Sequence, residues 1–208
     1  MTGASKPRAI ITLVVATCGF AVALALRERI DPWRSTAIAA AISIALSLWT
    51  LGPRLRGLCA ITPRGALAAI ALGVLLVAAT HVAFRITLVA SPDLALAIRD
   101  LYASIDVGAH RLTLVALTTV VVIGEELVWR GVAIEVLTGP RPPLQVAATS
   151  VALYVLPQLA GHVPLLIVAA FGLGSVFAAQ RLVTGRLVDP LLTHAIWSIA
   201  VFVVLPLA

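Results

Sequence analysis

Charge is what this sequence has least of. Asp, Glu, Lys and Arg make up 12% of its 208 residues, against about 25% in an ordinary soluble domain. With 61% hydrophobic residues and a mean hydropathy of +1.09, that scarcity excludes a water-soluble globular domain. It points to a single integral-membrane domain over residues 1–208. The net charge of +6 is scattered through connecting segments and forms no basic face. A nucleic-acid partner is therefore excluded, and the lipid bilayer is the expected partner. Cysteine is scarce too: Cys18 and Cys59 lie far apart without metal-ligand spacing, and are expected as small buried apolar residues. Internal repeats and low-complexity tracts are absent.

What is present is a succession of apolar runs, at 9–26, 35–51, 65–84, 112–137, 144–160, 163–181 and 187–207. Each is long enough to read as a membrane helix, giving an all-α polytopic bundle of about seven transmembrane helices. The first run ends in Ala23-Leu24-Ala25, which has the small-residue look of a leader-peptide cleavage site, but six further runs favour an uncleaved first helix. "RERIDPWR", "GPRLRG", "TGPRPP" and "TGRLVDP" carry the Gly, Pro and Arg of short connections. The longest connection, about 85–111, spaces Leu94, Leu96, Ile98, Leu101 and Ile105 among acids and arginines, which predicts a helix lying at the interface. Lys and Arg in the connections divide eight against six in favour of a cytoplasmic N-terminus and a multi-pass protein of a bacterial-type plasma membrane.

Against that background "GEELVWRG" at 124–131 is out of place. Each ionised group near the bilayer centre costs at least about 2.5–3.5 kcal/mol, and groups kept there at such cost mark function. Glu126 and Arg130 are four apart on one helical face, the spacing of an ion pair. Glu125 points about 100° away, without that partner, and is the carboxylate free to act as a general base. Helical rise puts Gln158 of the fifth run and His194 and Ser198 of the seventh in the same slab of the membrane as these three residues. His162 falls one turn beyond Gln158, further toward the outer face. Tyr154, on the face of Gln158, reads as packing or an interhelical hydrogen bond.

The sequence at this point resembles the CAAX-protease and bacteriocin-processing family of intramembrane endopeptidases (CPBP, or Abi). "GEELVWRG" is similar to its EExxxRG signature, "SVALYVLPQ" (150–158) to its Ser-then-FxxxH helix, and "FGLGSVFAAQRLVTGRLVDPLLTHAIWS" (171–198) to its last motif. The resemblance covers about 112–200, the catalytic core. It implies a helical bundle whose active site lies inside the membrane, hydrolysing peptide bonds in membrane-associated or prenylated C-terminal segments. It further implies that Glu125 activates water with a histidine of the following helix, that Glu126 and Arg130 brace the site, and that His194 with position 198 stabilises the oxyanion. Two departures matter. Gln158 stands where the family has histidine, and Ser198 where it has asparagine. Ser198 still donates a hydrogen bond, whereas Gln158 cannot carry a proton. His162 is a substitute base only if the fifth helix is shifted or broken near Pro157. No cofactor is expected. Zinc is the alternative, but only His194 among the histidines shares the depth of the carboxylates, and Arg130 already supplies a cation there. The competing reading is a catalytically silent relative that binds membrane peptides or partner proteins, as in self-immunity to bacteriocins.

Overall fold

The computed structural model of the chain describes residues 5–105 and 110–207, and among these there is no strand. We number the helices in chain order: α1 (Ser5–Ala25), α2 (Pro32–Leu51), the short α3 (Arg54–Leu58), α4 (Pro63–Ala90) and α5 (Pro92–Ile105). These are followed by α6 (Arg111–Leu137), α7 (Pro143–Gly161), α8 (Pro164–Thr184) and α9 (Val188–Val204). Six of them, α1, α2, α4, α6, α7 and α8, are long and apolar enough to cross a membrane, and α9 is a shorter apolar helix. The fold is the expected helical bundle of a multi-pass membrane protein.

Local chemistry sets where the helices start. Asp31 accepts a hydrogen bond from the Arg34 amide ahead of Pro32, and Thr62 accepts one from the Gly65 amide ahead of Pro63. In each case a capping oxygen precedes a proline whose missing N–H costs nothing at the first helical position. The Gly185 amide returns to the Arg181 carbonyl at φ +69°, a backbone setting that suits glycine, and this ends α8.

The helices pack as α1 on α2, α2 on α6, α4 on α9, α7 on α8, and α6 on α9. Their outer faces carry Leu112, Leu144, Val89 and Val183, each at least 75% exposed. In a bilayer such faces meet lipid, and every backbone group is satisfied within its own helix. Side chains at the helix contacts are small. A Cβ placed on Gly124 would lie 2.8 Å from Ala40 Cβ, so the bare glycine lets α6 and α2 approach closely.

Of three further sequence expectations, two change and one holds in part. The third run extends to Ala90 as α4, so His81 is inside a helix, with its Nδ1 and Nε2 each 3.0 Å from the carbonyls of Val77 and Leu205. The helix expected in the long connection is present as α5. In α5, Ile98 is buried against α9 while Leu94 and Leu96 face outward, and the Tyr102 hydroxyl donates to the Val201 carbonyl at 3.1 Å. Asp106–Ala109, and the side chains of Leu101 and Ile105, lie outside the described residues. Cys18 and Cys59 are exposed, not buried. Hydropathy cannot separate a lipid-facing position from an interior one, because both are apolar in a membrane protein.

Candidate active site

The site is built around an irregular turn. α6 runs as a regular α-helix to Glu126 and then widens into a π-helical stretch, Leu127–Ala133, before closing with one further turn. Such widened turns recur at functional sites because they release backbone groups and re-aim side chains. Here the Trp129 carbonyl accepts a hydrogen bond from Ser150 Oγ of α7 at 2.7 Å. Residues 124–134 are buried throughout.

Glu126 and Arg130 form the floor. Glu126 is fully buried and Arg130 is 1% exposed, with Nη1 3.2 Å from Glu126 Oε1. The same Oε1 lies 2.9 Å from His194 Nδ1. Arg130 Nη2 donates to the Gly174 carbonyl at 3.2 Å. Its guanidinium lies over the rings of Tyr154 and Phe177, at 4.4 and 5.4 Å. Cation–π contacts and a carboxylate together replace the water that this cation has lost. Gly174 permits the arrangement, since a Cβ there would come 2.8 Å from the Tyr154 ring and 3.3 Å from Arg130 Nη2. Phe177 stacks on the His194 ring at a centroid distance of 4.5 Å, fixing its plane.

Glu125 is held differently. It faces a cavity of about 520 Å³, accepts a hydrogen bond from the Tyr154 hydroxyl at 3.3 Å, and has His194 Nε2 3.8 Å from its Oε2. Gln158, His194 and Ser198 line the same cavity. Its remaining walls are mainly apolar, with Phe20, Leu173, Trp197 and Phe202 among them. The cavity reaches the connection between α1 and α2, where Arg27, Glu28 and Trp33 complete the lining. A water-sized nucleophile and an extended apolar segment both find room in such a space.

The candidate residues therefore fall into three groups. Glu125, Gln158, His194 and Ser198 share the cavity; Glu126 and Arg130 lie behind it, tied to it through His194; His162 is exposed and is not among the lining residues. The break near Pro157 does occur. The α-helical part of α7 ends at Val155, and Leu156–Gly161 is a 3₁₀ segment ending at His162 in a left-handed conformation, φ 51°. Three residues per turn instead of 3.6 put the fourth residue along about 120° from the first. His162 is thereby rotated off the face of Gln158 and not carried toward Glu125. Tyr154, read from sequence as packing or an interhelical hydrogen bond, donates one to Glu125 and places its ring against Arg130. Its signal was present, four residues before Gln158, where the family motif has Phe. Arg181 is buried in the last turn of α8 and pairs with Glu135 at 2.7 Å. Among the described residues no cluster of three or more His, Cys, Asp or Glu has the arrangement of a metal site.

Fold and site together define a polytopic membrane protein with a buried glutamate pair, of which Glu125 faces a cavity between the helices. Residues 108–200 match the family model described as type II CAAX prenyl endopeptidase Rce1-like. This agrees with the resemblance carried by "GEELVWRG" and the two later motifs, over nearly the same stretch. The matched stretch is similar to CAAX-type membrane proteases at the level of the family, and it holds Glu125, Glu126, Arg130, Tyr154, Gln158, His194 and Ser198. No curated protein and no solved structure matches the chain.

Proposed function

We propose that the chain is a glutamate-dependent intramembrane endopeptidase. Its substrates would be membrane-associated peptides, with a prenylated C-terminal segment as the favoured class. The observation that carries this reading is the contrast between the two carboxylates. Oε1 of Glu126 is shared by Arg130 and His194, while Glu125 faces a largely apolar cavity of about 520 Å³ together with Tyr154, Gln158, His194 and Ser198. In this reading Glu125 takes a proton from water as the water oxygen attacks the scissile carbonyl. The Gln158 amide orients that water, and Ser198 Oγ donates to the oxyanion. The Glu126–Arg130 pair holds His194 in place.

The residues present fit a divalent cation poorly. Arg130 already sets a cation against Glu126, and among the described residues no group of three or more His, Cys, Asp or Glu is placed to hold another. No step is routed through a metal. Gln158 favours a second reading, a relative that binds such peptides without cleaving them. Both are tested on the protein reconstituted in liposomes with an internally quenched, S-farnesylated peptide. The expected result is cleavage that falls by at least about 10²-fold in Glu125→Gln. Equal cleavage by the native protein and Glu125→Gln would end the enzyme reading. Peptide binding without any cleavage would establish the silent relative.

A further inference from the structure

Gln158 leaves the proposed protease without the proton carrier that its chemistry needs on α7, and the structure offers another on α9. We infer that His194 carries the proton in this chain, accepting it from Glu125 and delivering it to the departing amine, with Glu126 as its fixed support. The inference rests on the endopeptidase reading and concerns how that site works.

The argument starts at Nδ1. Glu126 is paired with Arg130 at 3.2 Å, so its carboxylate is ionised and only accepts hydrogen bonds. His194 Nδ1, 2.9 Å from Glu126 Oε1, therefore carries a hydrogen and donates it. In the neutral ring this makes Nε2 the bare nitrogen, and Nε2 is the atom turned toward Glu125 Oε2 at 3.8 Å. A bare ring nitrogen at that distance is the nearest base to the carboxylate, within reach of one bridging water. A proton that Glu125 takes up therefore has Nε2 as its next acceptor.

Among the described residues nothing else packed on the ring can serve. From α6 the charged groups at this point are Glu125, Glu126 and Arg130; from α7 there is the Tyr154 hydroxyl, which is bonded to Glu125; from α8 the neighbour is Phe177, which stacks on the ring. The resemblance assigns His194 to oxyanion stabilisation, yet in the neutral ring the only N–H is already engaged by Glu126. Donation to the oxyanion then falls to Ser198 and the Gln158 amide.

The step balances without a further reactant. Water forms the new C–O bond to the scissile carbonyl carbon while Glu125 takes one of its protons, and the carbonyl electron pair moves onto oxygen. The proton passes from Glu125 to His194 Nε2 and then to the amide nitrogen. The C–N bond breaks, the carbonyl re-forms, and an amine and a carboxylic acid leave. Glu125 returns to carboxylate and His194 to its neutral tautomer.

Two measurements on the full chain test this. With ¹⁵N-labelled histidine in detergent micelles, the neutral ring of His194, assigned by loss of its signals in His194→Gln, should be protonated at Nδ1. A neutral ring protonated at Nε2 overturns the inference and needs no substrate. With the S-farnesylated peptide, His194→Gln should lower kcat by at least about 10²-fold while KM stays within about threefold. Gln158→His should then restore activity in the His194→Gln background by at least about ten times more than it raises that of the native protein. Equal gains in both backgrounds would show that His194 carries no proton. Cleavage that survives Glu125→Gln would instead sink the endopeptidase reading, whatever the tautomer of His194.

Discussion

Removing the charge of Glu126 tests the floor of the site, because Arg130 has few ways to live without it. At 3.2 Å the pair attracts by about 5 kcal/mol at an effective dielectric of about 20. The guanidinium cannot turn to water, being 1% exposed. Glu126→Gln preserves shape and leaves Arg130 the Gly174 carbonyl and the faces of Tyr154 and Phe177, contacts worth about 2 kcal/mol when desolvated. The net loss should be about 3–5 kcal/mol, the usual result of orphaning a buried charge. Arg130→Met should cost a similar amount by orphaning Glu126. The double variant Glu126→Gln/Arg130→Met removes both charges, and should recover to within about 3 kcal/mol of the native protein. Reversible unfolding in mixed SDS micelles measures all four corners of this cycle. If the two single losses simply add in the double variant, the pair does not neutralise itself as the geometry requires.

Two further outcomes follow from packing and topology. Gly124→Ala should destabilise by about 1–3 kcal/mol through overpacking, since its Cβ would meet Ala40 Cβ at 2.8 Å and the Ala40 backbone at 2.9 Å. Gly139→Ala, with nothing within 4 Å, should leave the melting temperature almost unchanged, and equal shifts in the two variants would contradict the α2–α6 contact. If α9 crosses the membrane despite its length, reporters fused at Pro142 and after Ala208 should appear on opposite faces. Finding both on one face would remove α9 from the set of spans.

The number and placement of the apolar helices were legible in the sequence because a bilayer demands long apolar runs, and no tertiary contact can waive that demand. The different surroundings of Glu125 and Glu126 were legible for a related reason. A carboxylate four residues before an arginine has a partner on its own helix, whereas its neighbour, turned about 100° away, has none. Depth, counted by helical rise, brought Gln158, His194 and Ser198 into one slab, and these residues do line one cavity with Glu125.

Direction was beyond the sequence. Rise along a helix gives height in the membrane but not the azimuth of a side chain once the helix changes its winding, as α7 does between Val155 and His162. Nor does it say which ring nitrogen of His194 meets which glutamate. That choice belongs to the tertiary structure, where Phe177 fixes the plane of the imidazole and Glu126 occupies Nδ1. Tyr154 illustrates the same division. From sequence it is an aromatic residue on an apolar helix. Only the packing of α7 against α6, with a bare glycine at 174 making room, brings its hydroxyl to Glu125 and its ring beneath Arg130. Composition and period decide which segments enter the membrane, because they report a transfer free energy summed along a helix. The meeting of particular atoms depends on close packing between helices, which no single helix encodes.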